Sequence, residues 1–481
     1  MASRLATALA ALLAHAASAA LAPPARVGDA FGVGIHSLSV PAPELAQLRR
    51  AFRVVRTDLS WPLVESACGT YNFAAADGLL AQTRAAGLRL VLILDYANPA
   101  CYDGGGPTQN SCNTAACVAG FVAFARAAGE HFAAAAADAT VVLECQNEPN
   151  GMGGDEPAAL AAMCRGAGVQ VRAAGVPFIG PSTLQFDLPY LAVAIGFGLL
   201  EGLDALSVHA FGAFPPESAL ANYSALAAMI AAADSNVSIV QAEAGFPSAP
   251  PPCAPAGYPG SPAALAAKYL VRTTLTALVA GAGSLSSLYD WKDDGDNATN
   301  CDDHWGVVRA DLSPKPAFLA AVAMQSAIGD ARACLGLRST TAALGDEGSA
   351  FALAFDSGGP APSFVVWTSL PSCTPAAGRS ACGPPGAAAN WTACLLAECC
   401  YDEYAAGDGG PACFARQAPA SGVSFSTAPA PNDSTFSLVG TFGNALATPL
   451  RASGGVLSVP REFLSDGPLY VLPVDAGKLA R

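Results

Sequence analysis

The alternation of short β-rich runs with helical segments is the feature that most constrains the fold of this chain. Within about the first 330 residues we count eight β-rich runs: AFGVGIHSL, FRVVRTDL, LRLVLILDY, TVVLECQNEP, PFIGPST, DALSVHAF, VSIVQAEAGF and SLSSLYDW. The segments between them are rich in Ala and Leu and carry apolar residues at helical spacing. Strands that alternate with helices form a parallel sheet. No glycine-rich phosphate turn follows the first run, which disfavours an open doubly wound sheet. The sequence therefore predicts an α/β fold, a (β/α)8 TIM barrel over residues 28–330.

Polar side chains close nearly every one of these runs. They are His36, Arg56, Asp58, Asp95, Asn147, Glu148, Ser182, His209, Glu243 and Trp291. In a barrel the C-terminal ends of the strands converge on one face, and that face holds the active site. We therefore expect these residues, which are far apart in the sequence, to meet in one pocket.

The pattern changes after residue 330. Helical spacing stops, and short strands separated by turns follow, as in SAFALAFDS, SFVVWTSL, STFSLVGTFG and PLYVLPV. This pattern predicts a C-terminal antiparallel β-sandwich over residues 331–372 and 415–481. A cysteine-dense insert at 373–414 interrupts it.

The first residues predict entry into the secretory pathway. Arg4 precedes a short apolar run that ends in small residues, which is typical of a signal peptide over residues 1–22. No second apolar stretch of about 20 residues follows, so we expect no membrane attachment after cleavage. Fifteen cysteines also fit an oxidising compartment. Five N-glycosylation sequons begin at Asn222, Asn236, Asn297, Asn390 and Asn432.

Composition excludes other classes of function. Apolar residues make up 52% of the chain and charged residues 13%, which suits a folded core and not a disordered chain. The net charge is −14, and no stripe of Lys and Arg is present, so a nucleic-acid partner is not expected. No metal-ligand cluster or phosphate-cradling loop is apparent, so we expect no metal and no cofactor. We expect a secreted monomer.

The fourth β-rich run ends with two glutamates, Glu144 and Glu148, and their positions predict different roles. On an extended strand Glu144, Gln146 and Glu148 share one face. Glu148 would then lie at the mouth of the barrel and Glu144 one layer below it. A buried carboxylate needs a cation, and Arg56 on the second strand is the candidate. Glu148 and Glu243 could then act as the two carboxyl groups that glycosidic hydrolysis requires.

The motifs at the strand ends resemble those of clan A glycoside hydrolases, in particular bacterial members close to families 5 and 39. The resemblance rests on QNEPN, SVHAF, VQAEAGFPS and YDWKDDGDN, and on HWGVVRADLSPKPAF, in that order along the chain. The segment from FRVVRTDLSWPLVE to LRLVLILDYANP is also similar to the second and third units of that group.

The resemblance implies retaining hydrolysis of a β-linked oligo- or polysaccharide, with Glu148 as general acid/base and Glu243 as nucleophile. Asn147 would hydrogen-bond the sugar 2-hydroxyl, His209 would lie near the nucleophile, and Arg56 would hold carboxylate charge beneath it. Trp291 would offer an aromatic floor to a sugar ring. Tyr289 and Asp95 are further substrate-binding candidates.

Some alternatives stay open at this stage. His209 could be a hydrogen-bonded core histidine, and Trp291 could simply pack. The sequence also departs from the common pattern, with Gln146 where many relatives carry Trp and HAF in place of HPY. The rival functions are a catalytically silent carbohydrate-binding or wall-associated protein, and a transglycosylase that uses the same pair of glutamates. The sequence leaves the sugar open among glucose, xylose, mannose and a uronic acid, and does not separate internal cleavage from cleavage at chain ends.

The insert at 373–414 resembles a trefoil (P-type) domain in its R-x-x-C-G-x-P-G opening, C-x4-C-C-aromatic middle and C-F close. Its six cysteines allow 15 pairings. The resemblance implies one of them: Cys373–Cys400, Cys382–Cys399 and Cys394–Cys413.

Nine cysteines remain elsewhere, an odd number. Among them we expect Cys145 to face the helix layer as a free thiol. We expect loop disulfides between Cys101 and either Cys112 or Cys117, and between Cys253 and Cys301.

Overall fold

The computed structural model describes residues 24–249, 253, 261–341, 350–369, 373, 379–384, 390–397, 399–401, 412–416, 423–428 and 433–474. The expected signal peptide lies outside this part of the chain. Eight parallel strands form a closed barrel, in sequence order around the ring. The strands are β1 Phe31–Gly34, β2 Val54–Ser60, β3 Arg89–Asp95, β4 Val141–Cys145, β5 Phe178–Ile179, β6 Ala205–His209, β7 Ser238–Glu243 and β8 Ser286–Leu288.

One main helix follows each strand. The helices are α1 Ala42–Leu48, α2 Ala74–Ala85, α3 Ala115–Ala137, α4 Pro157–Ala173, α5 Leu188–Gly196, α6 Leu220–Ala232, α7 Ala263–Val279 and α8 Pro316–Ile328. The register Val33 to Leu288 between β1 and β8 closes the ring. The predicted (β/α)8 barrel is confirmed.

The two faces of each strand determine what the barrel encloses. On β3, Leu90, Leu92 and Leu94 pack against the helices, as part of the large core. Val91 faces inward instead and meets Val54 in a small apolar cluster inside the barrel. Residues two apart on a strand point to the same side, so Arg56, which follows Val54 by two positions, also points inward. The barrel interior is thus apolar at its floor and polar toward its mouth.

The C-terminal region is a two-layer β-structure, as predicted. One layer is a six-stranded sheet, in spatial order β16, β15, β18, β11, β10, β9, and the second is a pair, β14 and β17. These strands are β9 Ala333–Thr341, β10 Ala350–Asp356, β11 Ser363–Thr368, β14 Val423–Ser426, β15 Thr435–Val439, β16 Ala445–Arg451, β17 Val456–Val459 and β18 Leu469–Pro473. Phe364, Phe436 and Val471 of the larger sheet share a core with Phe425 and Leu457 of the pair.

The insert contributes two short strands, β12 Cys400–Tyr401 and β13 Cys413–Phe414, which pair with each other. A helix at Trp391–Leu396 precedes them, capped by the Asn390 side chain. The six insert cysteines are bonded as Cys373–Cys400, Cys382–Cys399 and Cys394–Cys413. This is the pairing that the resemblance to a trefoil domain implies.

Two cysteine expectations for the barrel were wrong. Cys145 is not a free thiol, since it forms a disulfide with Cys164 of α4. Cys101 pairs with Cys68, and Cys112 pairs with Cys117. Helix α4 packs directly behind β4 and therefore brings a partner to Cys145, while the loop after β2 lies beside the loop after β3. The expected bond between Cys253 and Cys301 is present.

Two surface features bear on the expected compartment. The sequon residues Asn222, Asn236, Asn297 and Asn390 are all exposed, and Asn432 lies outside the described residues. Among the described residues, no helix combines the length and apolar character needed to cross a bilayer.

Candidate active site

Glu148 and Glu243 meet at the mouth of the barrel although they are far apart in the sequence. Glu243 ends β7, and Glu148 lies three residues beyond the end of β4. Both residues are 9% exposed. One oxygen of each carboxyl and a ring nitrogen of His209 lie within 4.8 Å of one another. This arrangement is open enough to admit a substrate and close enough for both carboxyls to reach one bond.

The turn after β4 aims Glu148, and it does so differently from a plain strand. Gln146 has a φ of 53° and Glu148 a φ of 46°, so the two-residue alternation ends at Cys145. Gln146 consequently turns toward α4, where its amide lies 3.6 Å from the Met163 sulfur. The expectation that Glu144, Gln146 and Glu148 share one face was therefore wrong for Gln146. The backbone N–H of Glu148 donates to Ser182 O at 2.8 Å, which fixes the turn against the end of β5.

Arg56 is the cation at the base of the site. Its Nε donates to Glu144 Oε2 at 2.7 Å, and its Nη1 donates to Glu243 Oε1. Its Nη2 lies 3.2 Å from Asn147 Oδ1. Arg56 is 2% exposed and Glu144 is fully buried. One planar guanidinium thus connects three residues of the site, a geometry that lysine cannot reproduce.

The charges at this base hold each other in the ionised form. Burial by itself lowers the pKa of Arg56, but the Glu144 and Glu243 carboxylates raise it on balance. Burial conversely raises the pKa of Glu144, and Arg56 together with the Ser182 hydroxyl outweighs this and lowers it. Ser182 Oγ donates to Glu144 Oε1 at 2.5 Å. Glu144 is therefore a buried carboxylate with a structural role beneath the site.

His209 connects the two glutamates through a defined tautomer. Its Nε2 lies 3.4 Å from Arg56 Nη2, and an arginine nitrogen can only donate. Nε2 must therefore accept, which leaves the proton of the neutral ring on Nδ1. That nitrogen lies 3.0 Å from Glu148 Oε1 and 3.4 Å from Glu243 Oε2. The fully buried ring places an N–H donor between the two carboxyls.

Asn147 is held at both ends of its amide. Its Oδ1 accepts from Arg56, and its Nδ2 donates to the Tyr96 hydroxyl at 3.0 Å. Burial and the neighbouring Asp95 raise the pKa of Tyr96, so the hydroxyl stays neutral. We did not single out Tyr96 from the sequence. Its place as the last residue of the third β-rich run, directly after Asp95, is the signal that could have identified it.

The aromatic surface of the site differs from the one expected. Trp291 is 1% exposed, its Nε1 donates to Glu44 at 2.8 Å, and its ring packs edge-on against Phe318. It therefore belongs to the core between β8 and the helices and offers no face to a sugar, which corrects our expectation.

A different group of rings lies near Glu243. Phe211 has its ring centroid 6.1 Å from that of Tyr289 and 5.3 Å from that of Trp305. Gly245 lets the Tyr289 backbone and the Trp305 ring pack close to β7, because a Cβ there would lie 2.2 Å from Tyr289 O and 3.0 Å from Trp305 Cε3. Phe211 and Trp305 were missed, although both lie within motifs quoted above, SVHAF and HWGVV.

Acidic side chains surround this centre on the side of β1, β2, β3 and β8. Asp95 is fully buried, and neither of its oxygens has a hydrogen-bond partner among the described residues. Burial, with the facing Asp58 carboxyl, raises its pKa well above the usual range. On the other flank His36 Nε2 lies 3.0 Å from Asp290 Oδ2, and this contact raises the pKa of His36 to about 9.

Two groups in this region have donor atoms spaced as metal ligands would be. They are Glu148 with His209 and Glu243, and His36 with Asp290 and Asp294. The contacts given above account for the close approach of Glu148, His209 and Glu243 and for that of His36 to Asp290.

Comparison with known proteins gives a match in structure only. No family sequence model matches the chain, and no curated protein sequence does. Among solved structures, a family 39 glycoside hydrolase from the gut symbiont Bacteroides cellulosilyticus WH2 is similar, with a TM-score of 0.62 and 20% identity over 93% of this chain and 81% of that one. A family 30 endoxylanase from Clostridium papyrosolvens C71 has a TM-score of 0.58 and 10% identity over 94% of this chain and 97% of that one.

A family 30 subfamily 8 xylanase from Clostridium acetobutylicum gives the same TM-score of 0.58, with 10% identity over 93% of this chain and 96% of that one. These alignments extend through the barrel and the C-terminal β-structure. The fold is therefore that of clan A glycoside hydrolases, as the sequence motifs predicted.

Proposed function

We propose that this protein is a secreted retaining β-glycosidase that cleaves a β-linked oligo- or polysaccharide, with Glu148 as acid/base and Glu243 as nucleophile. The observation that carries the proposal is the approach of the two carboxyls, whose nearest oxygens lie within 4.8 Å of each other and of His209. Retaining glycosidases place their two carboxyl groups about 5–5.5 Å apart, whereas inverting enzymes need about 6.5–9.5 Å to admit a water molecule.

The contacts of the two carboxyls support this division of roles. Arg56 donates to Glu243 and so holds this carboxyl at the base of the site, which supports its role as the attacking group. Glu148 has a different partner, the His209 Nδ1–H at 3.0 Å. No Arg or Lys of the described residues lies within salt-bridge distance of Glu148, so this carboxyl is the one without a fixed cation, which supports the acid/base role.

The reaction then proceeds in two displacements. In the first, Glu243 attacks the anomeric carbon while Glu148 donates its proton to the departing glycosidic oxygen. In the second, Glu148 takes a proton from water, and the resulting hydroxide displaces Glu243 from the glycosyl carbon. Asn147, fixed by Arg56 and Tyr96, is oriented to bind the sugar 2-hydroxyl. Phe211, Tyr289 and Trp305 provide apolar surface beside the nucleophile.

The test combines labelling with substitution. We expect a 2-deoxy-2-fluoro glycoside of the correct sugar to label Glu243, as shown by peptide mass mapping. Glu148→Gln and Glu243→Gln should each lower kcat by at least ~10⁴-fold without loss of folding. Glu201→Gln is the control, because Glu201 is exposed and precedes β6 at the opposite end of the barrel. Full activity in either site variant would exclude the proposal.

The products separate the rival functions. Net inversion at the anomeric carbon, read by NMR, would exclude the retaining mechanism. Transfer of the glycosyl group to a second sugar in preference to water would identify a transglycosylase. Binding of a polysaccharide without any cleavage would instead favour the catalytically silent carbohydrate-binding protein.

Two further proposals concern the parts outside the barrel. The disulfide pairing in the insert supports a trefoil-like module at 373–414. Seven disulfides among the described residues support passage through an oxidising compartment. Expression in a secreting eukaryotic host, followed by N-terminal sequencing of the protein in the medium, should give a mature chain that begins near residue 23. Retention of residues 1–22 would exclude the signal peptide.

A further inference from the structure

The catalytic face of the barrel carries very few cations. The chain returns from each strand to its helix through a connection on this face, at 35–41, 61–73, 96–114, 146–156, 180–187, 210–219, 244–262 and 289–315. The first seven connections contain no Lys and no Arg. This count comes from the sequence itself, so it includes the residues of 244–262 that the structure does not describe. A substrate at this face therefore meets Lys and Arg only from the eighth connection and from the strands, together with His36 of the first connection.

Each of the cations that remain is engaged by the protein. Lys315 Nζ lies 2.6 Å from Asp293, and Lys292 Nζ lies 3.8 Å from Glu44. Arg309 donates within its own turn, to Pro314 O at 3.2 Å. Arg56 is held by Glu144, Glu243 and Asn147, as described above. His36 pairs with the Asp290 carboxylate at 3.0 Å.

Carboxyl groups dominate the wall beside Asn147. Asp95 lies inside the barrel at the end of β3, and both of its oxygens are buried without a partner among the described residues. The group that faces it is a second carboxyl, that of the exposed Asp58 on β2. Tyr96, the residue next to Asp95, holds the amide of Asn147. Because Asp95 is buried and faces Asp58, the exposed Asp58 carboxyl is the acidic group that a sugar at this wall meets, and it can accept hydrogen bonds from a ligand.

We propose that the exposed Asp58, backed by the buried Asp95, makes one wall of the glycone subsite acidic, so that the subsite admits neutral or amine-bearing sugars and excludes uronic acids. This inference rests on the proposed glycosidase activity and narrows its substrate class. A sugar carboxylate in the subsite would lose its hydration and face the Asp58 carboxyl, while Arg56, His36 and Lys315 are already paired with carboxyl groups of the protein. Sugar hydroxyls or an ammonium group would instead donate to the wall.

The experiment compares polymers that share a backbone and differ in charge. Reducing-end release is measured from neutral β-glucan, β-mannan and β-xylan, from chitosan, and from β-linked polyglucuronate and polymannuronate. We expect cleavage of at least one neutral or amine-bearing polymer, with a kcat/KM at least ~10-fold above that for either polyuronate, since one like-charge contact of about 1.4 kcal/mol is tenfold.

Asp58→Asn tests the wall itself. We expect this variant to lower the ratio of kcat/KM for the neutral polymer to kcat/KM for the polyuronate by about tenfold. Asp138→Asn should leave this ratio unchanged. Asp138 is exposed and precedes β4 at the opposite end of the barrel. Raising the salt concentration from about 0.02 M to 0.5 M should narrow the wild-type preference in the same direction, because it screens exposed charge. If Asp58→Asn does not fold, the salt dependence of the wild-type protein tests the acidic wall instead.

Each outcome has a distinct meaning. Cleavage of a polyuronate in preference to the neutral polymers would overturn the acidic wall and leave the glycosidase proposal intact. Cleavage of none of the polymers by the folded wild-type protein would overturn the glycosidase proposal and the inference with it. The wild type could also prefer neutral polymers by a ratio that neither Asp58→Asn nor salt changes. That result would show that the acidic wall does not cause the preference.

Discussion

Arg56 shows how much of the site depends on a single side chain. It is fully buried beneath both β4 and β7 and bonds Glu144, Glu243 and Asn147 at once. The residues alone indicated its pairing with Glu144, and the family resemblance implied that it also holds carboxylate charge beneath the site. The additional contacts make Arg56 the residue that positions Glu243, the proposed nucleophile, relative to the amide of Asn147, which is proposed to bind the sugar.

We therefore expect Arg56→Lys to lose most of its activity, although the substitution keeps the positive charge. An ammonium group cannot make the same set of planar contacts, and a displacement of about 1 Å in a catalytic group can cost ~10²-fold in rate. The prediction is a kcat/KM at least ~10²-fold lower, measured on the best substrate. Arg272→Lys is the matched control, since Arg272 is equally buried but pairs with Glu217 away from the site. Comparable activity of the two variants would contradict the positioning role.

Asp155 gives a prediction for the pH dependence of stability. It lies in the connection after β4, where its Oδ1 accepts from the Cys112 N–H at 2.7 Å, and burial raises its pKa from 3.8 to about 6. Between pH 4 and 6 the unfolded chain loses this proton first, while the folded chain retains it. The raised pKa therefore lowers the free energy of unfolding as pH rises, and the full loss is reached above pH 6.

Asp155→Asn removes the titrating carboxyl. The free energy of unfolding of this variant should therefore rise relative to that of the wild type as pH rises. The difference between the two proteins should grow by up to about 3 kcal/mol between pH 4 and pH 7.5, measured by urea unfolding. Asp138→Asn, at an exposed position, should show no such trend. A constant difference between Asp155→Asn and wild type at both pH values would exclude the assignment.

At the scale of elements, the bond between Cys145 and Cys164 ties the catalytic strand to the helix behind it. It closes a loop of 19 residues that contains Glu148 and the turn with two positive φ angles. Replacing both cysteines by alanine should cost about 3 kcal/mol in the free energy of unfolding. It should also lower kcat, because the turn that aims Glu148 loses a support.

The pair Cys112 and Cys117 provides the control for this prediction. Its disulfide spans only 5 residues, so its removal should cost less in chain entropy. Both double variants are compared by urea unfolding under oxidising conditions, with kcat measured on the same samples. An equal or larger loss in the Cys112 and Cys117 variant would contradict the argument.

At the scale of the whole molecule, buried charges connect the barrel to the C-terminal β-structure. Glu217, after β6, accepts from Arg272 of α7 and from Trp367 Nε1 of β11 at 2.7 Å. Lys268 of α7 pairs with Asp466 of the C-terminal region at 2.8 Å. Glu217 and Arg272 pair within the barrel, but Lys268 and Asp466 compensate each other across the interface, so separation of the two parts would leave an unpaired charge on each.

We therefore expect the barrel and the β-structure to unfold in one calorimetric transition. Trp367→Phe keeps the apolar ring but removes the donor to the Glu217 carboxylate, and should cost about 1.5–3 kcal/mol while leaving that transition single. Trp391→Phe, in the short helix of the insert, should have a smaller effect. Two separated transitions in the wild type would show that the interface does not couple the two parts.

The sequence by itself determined the barrel, the order of its strands and the residues at their ends. It could do so because strand and helix periodicity are local properties, and because parallel strands of a barrel must present their C-terminal ends on one face. Glu148, Glu243, His209, Asn147 and Arg56 were identified in this way. The trefoil-like disulfide pairing came from a resemblance in cysteine spacing.

Tertiary structure alone decided which of these side chains face the site. Trp291 turned into the core, Gln146 turned toward α4, and Cys145 found its partner in a helix 19 residues away. Phe211, Tyr96 and Trp305 entered the site from loops. These outcomes depend on positive φ angles, on the packing of a helix behind a strand and on the paths of loops. None of these has a local signature, because each depends on contacts between residues that are distant in the sequence.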